Sequence, residues 1–169
     1  MRVKMIGLGG QGIAFASIVL GYAAVLDGKY ATQVSSYGAE VRGTSIISDV
    51  IISEKPVKFP FLKEADILYC MNADLLAKWI NCLTPNGVIV LNARKPVETS
   101  RKLLWIDSDS LSLKHFGSTS FSNIILLGFM NKALNIVSQK SLKKAIEERE
   151  TKVKENVRAL ELGASQYKL

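Results

Sequence analysis

Apolar residues fall along this chain in short blocks whose spacing switches between the two-residue period of strands and the longer period of helices. The first block, Val3, Met5, Ile6 and Leu8, suits a buried strand, and it breaks over Gly9, Gly10 and Gly12 before a helix from about Gln11 to Leu26. Asp27-Gly28 serves as its C-cap and turn, and Tyr30 to Ser35 reads as a second strand. Strand, helix and strand predict a right-handed βαβ unit opening a parallel sheet. Ser36 to Gly43 is a polar loop. Thr44 to Ser53 is a strand-like run broken by Ser48 and Asp49, expected to pair antiparallel or to carry a bulge.

After a loop at Pro56 to Pro60, Ala65 to Met71 forms a further buried strand. Asn72-Ala73-Asp74 is placed to cap a helix carrying Leu75, Leu76, Trp79 and Ile80. Pro85-Asn86-Gly87 marks a turn, and Val88 to Leu91 and Leu103 to Ile106 are short strands. Helical patterns follow at Ser108 to Phe116, Ser122 to Leu134, and Lys140 to Leu162 with a break near Thr151 and Gly163 as C-cap. The fold class is α/β: three layers, a mostly parallel sheet with helices on both faces, and a glycine-rich first βα turn.

Composition narrows this picture. At 169 residues the chain suits a single domain, and 48% apolar residues without a low-complexity run exclude disorder as its main state. The most lipid-like segment, Ile13 to Leu26, is interrupted by Ser17 and Gly21 and falls short of the ~20 residues that cross a bilayer. The glycine turn between the early basic residues and that segment argues against a signal peptide. No membrane association and a cytoplasmic location are expected. Cys70 and Cys82 are the only cysteines, too few for a cluster or an all-cysteine zinc site, and both sit in apolar surroundings as reduced thiols.

The net charge of +7 is uneven: residues 1–94 hold nine Lys/Arg against seven Asp/Glu, residues 95–169 thirteen against eight. Such a surface favours anionic partners. The late lysines alternate with Glu147, Glu148, Glu150 and Glu155 at helical spacing, which describes a solvated helix face rather than a track for nucleic acid.

Candidate chemistry begins at the glycine turn, where a helix N-terminus directs free N–H groups at any anion present. Gly7-x-Gly9-x-x-Gly12 satisfies the dinucleotide fingerprint in a strand-turn-helix context. It lacks the acidic residue that would hold the ribose at the end of the second strand, where Ser35-Ser36-Tyr37-Gly38 stands instead. A nicotinamide- or flavin-binding oxidoreductase is the alternative reading. Gln11 could fold back onto the turn or bond a partner, and the sequence favours a partner. In the loop after the second strand, Arg42 could grip a phosphate or carboxylate in a fork with Glu40 holding it, or the two could form an ordinary surface pair. His115, the only histidine, has no second histidine for a metal and no nucleophile motif around any serine, and reads as a partly packed or surface residue. Trp79 and Trp105 fall in apolar patterns and read as core.

Together, Gly7-Leu8-Gly9-Gly10-Gln11-Gly12 and Ser36-Tyr37-Gly38-Ala39-Glu40-Val41-Arg42-Gly43 resemble the gamma subunit, or gamma domain, of the 2-oxoacid:ferredoxin oxidoreductases. Asn123-Ile124-Ile125-Leu126-Leu127-Gly128 resembles that family's Asn-x-x-x-Leu-Gly helix, and Asn156 to Gly163 its closing helix. Ala39 departs from an expected Pro and Thr44 from a frequent Gly, leaving Glu40, Arg42 and Gly43 in place.

The resemblance implies a multi-subunit enzyme that decarboxylates a 2-oxoacid on thiamine diphosphate, passes electrons through [4Fe-4S] clusters to ferredoxin and releases an acyl-CoA. Thiamine diphosphate and Mg2+ then belong to alpha and beta subunits and the clusters to other subunits, a delta type among them. This chain carries no cofactor and is inert alone. Its implied contribution is to hold coenzyme A, with Gly9, Gly10, Gln11, Gly12, Tyr37, Glu40, Arg42, Gly43 and Asn123 as candidate residues; a purely structural adaptor is the alternative. Pyruvate, 2-oxoglutarate, branched-chain 2-oxoacids and indolepyruvate are all substrates in that family, and the residues here do not choose among them.

Overall fold

The computed structural model describes residues 1–37, 45–149 and 152–168. The first apolar block forms β1 (Arg2–Leu8), whose residues 3–7 are buried. A strand buried on both faces belongs at the centre of a sheet. β1 lies there, flanked by β2 (Tyr30–Tyr37) and β3 (Ser45–Ser53) on one side and β4 (Ala65–Cys70), β5 (Leu83–Asn92) and β6 (Lys102–Ile106) on the other. The six-stranded order is β2-β3-β1-β4-β5-β6.

β1, β4, β5 and β6 are mutually parallel, while β3 runs antiparallel to both β1 and β2. The sheet is thus mixed, with five strands pointing one way and β3 opposed. Of the two pairings open to the Thr44 to Ser53 run, the antiparallel one holds. The expected βαβ start is modified, because β3 is inserted between β1 and β2. The Pro85-Asn86-Gly87 turn becomes an irregularity within β5: Ala65 pairs with Leu83, but Ile67 with Val88.

The two polar interruptions of β3 have partners across the sheet. Ser48 Oγ lies 2.7 Å from Ser35 Oγ, and Asp49 pairs with Lys4, its neighbour in register on β1. Lys4 is only 6% exposed, so this pair supplies the charge that burial demands.

On one face, α1 (Ile13–Leu26), α3 (Ser108–Phe116), α4 (Ser122–Leu134), α5 (Gln139–Glu147) and α6 (Val153–Gln166) enclose the larger core, built around Met5, Val50, Tyr69, Ile124 and Leu160. The other face is thinner. Its expected helix is one short α-helical turn, α2 (Leu76–Trp79), with a 3₁₀ turn on either side (Ala73–Leu75 and Ile80–Cys82), and it covers Ile6, Leu68, Ile89 and Leu91. Asn72 caps this segment as anticipated, accepting from the Asp74 N–H at 2.9 Å.

Gly163 is not a C-cap. It lies inside α6, and a Cβ there would stand 1.8 Å from the Ile125 carbonyl oxygen on α4; one on Gly128 would stand 2.1 Å from that of Leu160. Two glycines, one per helix, let these backbones touch. The break near Thr151 separates α5 from α6, and residues 150–151 themselves lie outside the described residues.

Asp27 does more than end α1. Its carboxylate accepts from the Ser138 N–H (2.6 Å), the Ser138 hydroxyl (2.7 Å) and the Ser141 hydroxyl (2.6 Å), tying α1 to the start of α5. Burial by itself would raise this carboxyl, but the bonds from Ser141 and Ser138 outweigh it and hold its pKa below the usual value. A depressed folded-state pKa contributes stability that is present above the unfolded value, near ~4, and lost as pH falls through the folded one. Asp27→Ala is expected to cost about 1–2 kcal/mol at neutral pH. In urea melts the gap from wild type should close below about pH 4.

Candidate functional site

β1 ends at Leu8, and the chain turns through glycines into α1. Gly10 (φ 86°) and Gly12 (φ 69°) take the left-handed conformation that glycine permits without strain. The Gln11 N–H closes the turn on the Leu8 carbonyl at 3.1 Å. The Gln11 side chain folds back as well: Oε1 accepts from the Leu8 N–H at 2.7 Å, and Nε2 faces the Met71 carbonyl at 3.5 Å. The partner contact favoured by sequence is replaced by this internal brace, because the Leu8 N–H lies within reach of a side chain three residues on.

Gly12 is the N-cap of α1 and has no side chain to occupy the first-turn N–H groups, nor does an acidic residue stand in that turn. The positive end of a fourteen-residue helix therefore faces the turn. Asn123, at the start of α4 and 4% exposed, donates from Nδ2 to the Gly12 carbonyl at 2.9 Å. Asn123, already among the candidate residues, is thus the one that fixes the turn. Its own carbonyl accepts the hydroxyl of the fully buried Tyr69. Burial raises that phenol's pKa well above its usual value.

The glycines divide by role. A Cβ on Gly12 would lie 2.3 Å from Asn123 Nδ2, whereas one on Gly9 or Gly10 would meet nothing within 4 Å. Gly12→Ala should therefore cost about 2–3 kcal/mol, and Gly9→Ala less than about 0.5 kcal/mol, in equilibrium urea unfolding. Gly9 and Gly10 are open to whatever approaches the backbone; Gly12 is needed by the fold.

The Tyr37 backbone pairs with Ile46, in line with Gly7 of β1, and Ser45 pairs with Leu8. Both strand ends flanking 38–44 are thereby held beside the glycine turn. Glu40, Arg42 and Gly43 lie outside the described residues, as does the side chain of Tyr37.

Beside the turn a cleft of about 440 Å³ opens at the carboxyl ends of β1, β4 and β5, lined by Gln11, Asn72, Asn92, Arg94 and Asp109 among others. It lies where the chain leaves β1 for α1 on one face and β4 for α2 on the other, the crevice in which open α/β sheets bind ligands. Buried Asn92 organises its floor, donating to the Met71 carbonyl (3.1 Å) and Asp109 (2.9 Å) and accepting from the Ser108 N–H (2.9 Å). Sequence reasoning missed Asn92, whose signal was a polar residue closing an apolar strand. With Asp74, Asp107 and Asp109 against Arg94, the cleft suits hydrogen-bond donors better than phosphates, which leaves the glycine turn as the anion-favouring part.

The dinucleotide alternative loses its geometry. A ribose-binding acid belongs on the strand next to β1, but β2 is one strand further out, about 10 Å from β1. His115 is exposed, Trp79 half-buried and Trp105 37% exposed, so Trp105 is an edge residue rather than core. Cys70 is buried, its thiol pushed up to about 12 by desolvation, and Cys82 is half-buried. Among the described residues, no group of three or more His, Cys, Asp or Glu could hold a metal ion, and no helix is long and apolar enough to cross a membrane.

The family model described as pyruvate ferredoxin/flavodoxin oxidoreductase matches residues 2–166. The chain belongs to that family. 2-Oxoglutarate synthase subunit KorC of Methanocaldococcus jannaschii is 34% identical over 151 residues, covering 86% of this chain and 81% of the relative. The common subunit gamma of the pyruvate/ketoisovalerate oxidoreductases of Pyrococcus furiosus is 28% identical over 159 residues, covering 88% and 85%. The solved keto/oxoacid ferredoxin oxidoreductase gamma subunit of Geobacter sulfurreducens superposes with a TM-score of 0.84 at 27% identity, over 98% of this chain and 96% of that one. This protein is a gamma subunit of a multi-subunit 2-oxoacid:ferredoxin oxidoreductase. In this subunit the glycine turn, its Asn123 brace and the strand ends at Tyr37 and Ser45 lie side by side.

Proposed function

We propose that this gamma subunit, as a single domain of residues 1–169, helps an assembled cytoplasmic enzyme convert a 2-oxoacid and coenzyme A to acyl-CoA, carbon dioxide and reduced ferredoxin. The observation that carries the reading is the α1 N-terminus, free of any side-chain cap, with open Gly9 and Gly10, beside the strand ends at Tyr37 and Ser45 between which Arg42 falls in the sequence. Helix N-terminus and guanidinium together suit the phosphates of coenzyme A. Thiamine diphosphate, Mg2+ and [4Fe-4S] clusters reside in alpha, beta and delta-type partners. Two cysteines, one buried and one half-buried, are too few for a cluster, and among the described residues no set of side chains suits a metal, so on this reading the chain's part is to bind and position. 2-Oxoglutarate is the preferred substrate on this reading, supported by the KorC relative's 34% identity against 28% for the pyruvate/ketoisovalerate subunit.

Steady-state kinetics of the assembled enzyme test both parts. Arg42→Ala is expected to raise the apparent KM for coenzyme A on the order of tenfold, with little change in the KM for 2-oxoglutarate. An unchanged KM for coenzyme A would leave the subunit a structural adaptor. Faster turnover of pyruvate than of 2-oxoglutarate would overturn the substrate assignment.

A further inference from the structure

Between β3 and β4 the chain crosses from one strand to the next in a strap, residues 54–64, that contains Pro56 and Pro60. It presents Phe59 and Phe61 to solvent at 60% and 55% exposure, although most of the chain's other large apolar side chains are at least half covered. The two rings meet edge-on, with centroids 5.4 Å apart and planes at 63°. The strap is tied to the sheet at Leu62, whose N–H donates to Asp49 Oδ2 at 3.3 Å on the face of β3 opposite α1. Pro60 between the rings restricts the backbone, so the pair is held ready rather than ordered on contact.

Charge gives the patch its complement. The strap's two acids are engaged elsewhere, Glu54 with Lys29 at 3.7 Å and Glu64 with Arg2 at 3.9 Å. Lys55, Lys58 and Lys63 are exposed and have no carboxylate partner among the described residues. Two aromatic anchors with uncompensated lysines on either side in the sequence fit an apolar pocket rimmed by carboxylates. A second copy of this chain is disfavoured, since a two-fold contact would set the same lysines against one another.

We propose that Phe59 and Phe61, flanked by Lys58 and Lys63, plug into a carboxylate-rimmed apolar pocket on another subunit of the same oxidoreductase. The proposal rests on the chain's place as a gamma subunit. Already close to half covered, the rings would each remove a further area on the order of 100 Å² from water.

The test is co-expression of the tagged chain with its companion subunits, followed by affinity purification and identification of the eluted subunits by mass spectrometry. Phe59→Ser/Phe61→Ser is expected to lower companion recovery on the order of tenfold or more. Lys58→Glu/Lys63→Glu should do the same at low salt, by a smaller factor as salt rises. Thermal melts of the isolated variants should match wild type, because the substituted side chains are exposed. Full recovery of companions with both variants would overturn the proposal. So would variants that keep their companions but lose self-association, or lose binding to phosphatidylcholine vesicles containing phosphatidylserine; these would assign the patch to a second copy or to a lipid surface. A wild-type chain that retrieves no oxidoreductase subunit would instead remove the reading on which the proposal stands, and the proposal with it.

Discussion

Gly163→Ala is expected to destabilise the protein by about 3 kcal/mol and to lower its melting temperature by about 10 °C. Alanine ordinarily improves a helix interior by up to about 1 kcal/mol, so the sign is opposite to the intrinsic preference. The reason is the crossing of α4 and α6, where the added methyl would stand 1.8 Å from the Ile125 carbonyl oxygen, a backbone atom that no rotamer change can move. The helices must separate, opening contacts around Ile124, Leu127 and Leu160. Gly128→Ala should behave alike, its methyl falling 2.1 Å from the Leu160 carbonyl oxygen. Differential scanning calorimetry decides the matter, and a melting temperature within a degree or two of wild type would contradict the packing described here.

Removal of one partner from the Lys4–Asp49 pair is expected to cost about 3–5 kcal/mol, since each side chain is mostly withdrawn from water, with 8% and 14% left exposed. Asp49→Leu strands an ammonium beneath Trp79, whose ring centre lies 5.4 Å from Lys4 Nζ, and also frees the Leu62 N–H. Lys4→Met strands the carboxylate. The double variant Lys4→Met/Asp49→Leu should lose less than the sum of the single losses, because no uncompensated charge remains buried. Equilibrium urea unfolding of the four proteins measures this coupling, and additive losses would show that the two charges do not depend on each other.

These two features mark where the sequence stopped being readable. Elements with local causes were legible: the glycine break after Leu8, the Asn72 cap, and α3 and α4 with their bounds at Ser108, Phe116, Ser122 and Leu134. What depended on distant partners was not. Nothing local marks Lys4 as a buried charge; its partner Asp49 comes from β3, forty-five residues away. Gly163 looked like a helix end because a glycine near the end of an apolar pattern is usually one, and only the α4 backbone explains its position inside α6. The insertion of β3 between β1 and β2 was likewise hidden, since strand order is not written in periodicity. At the candidate site, the glycine turn was legible as strand-turn-helix, and its supports were partly so. Asn123 was singled out from a motif; its bond to the Gly12 carbonyl gives the physical role. Gln11 turned inward because the nearest unsatisfied donor was its own turn.

Purification of the tagged chain from its own cells, with the eluate assayed for coenzyme A-dependent viologen reduction on 2-oxoglutarate, tests the central claim most directly. The account predicts co-eluting thiamine- and cluster-bearing subunits and activity that disappears when coenzyme A is omitted. A chain that eluted alone, bound NADH and supported no such reduction would contradict it.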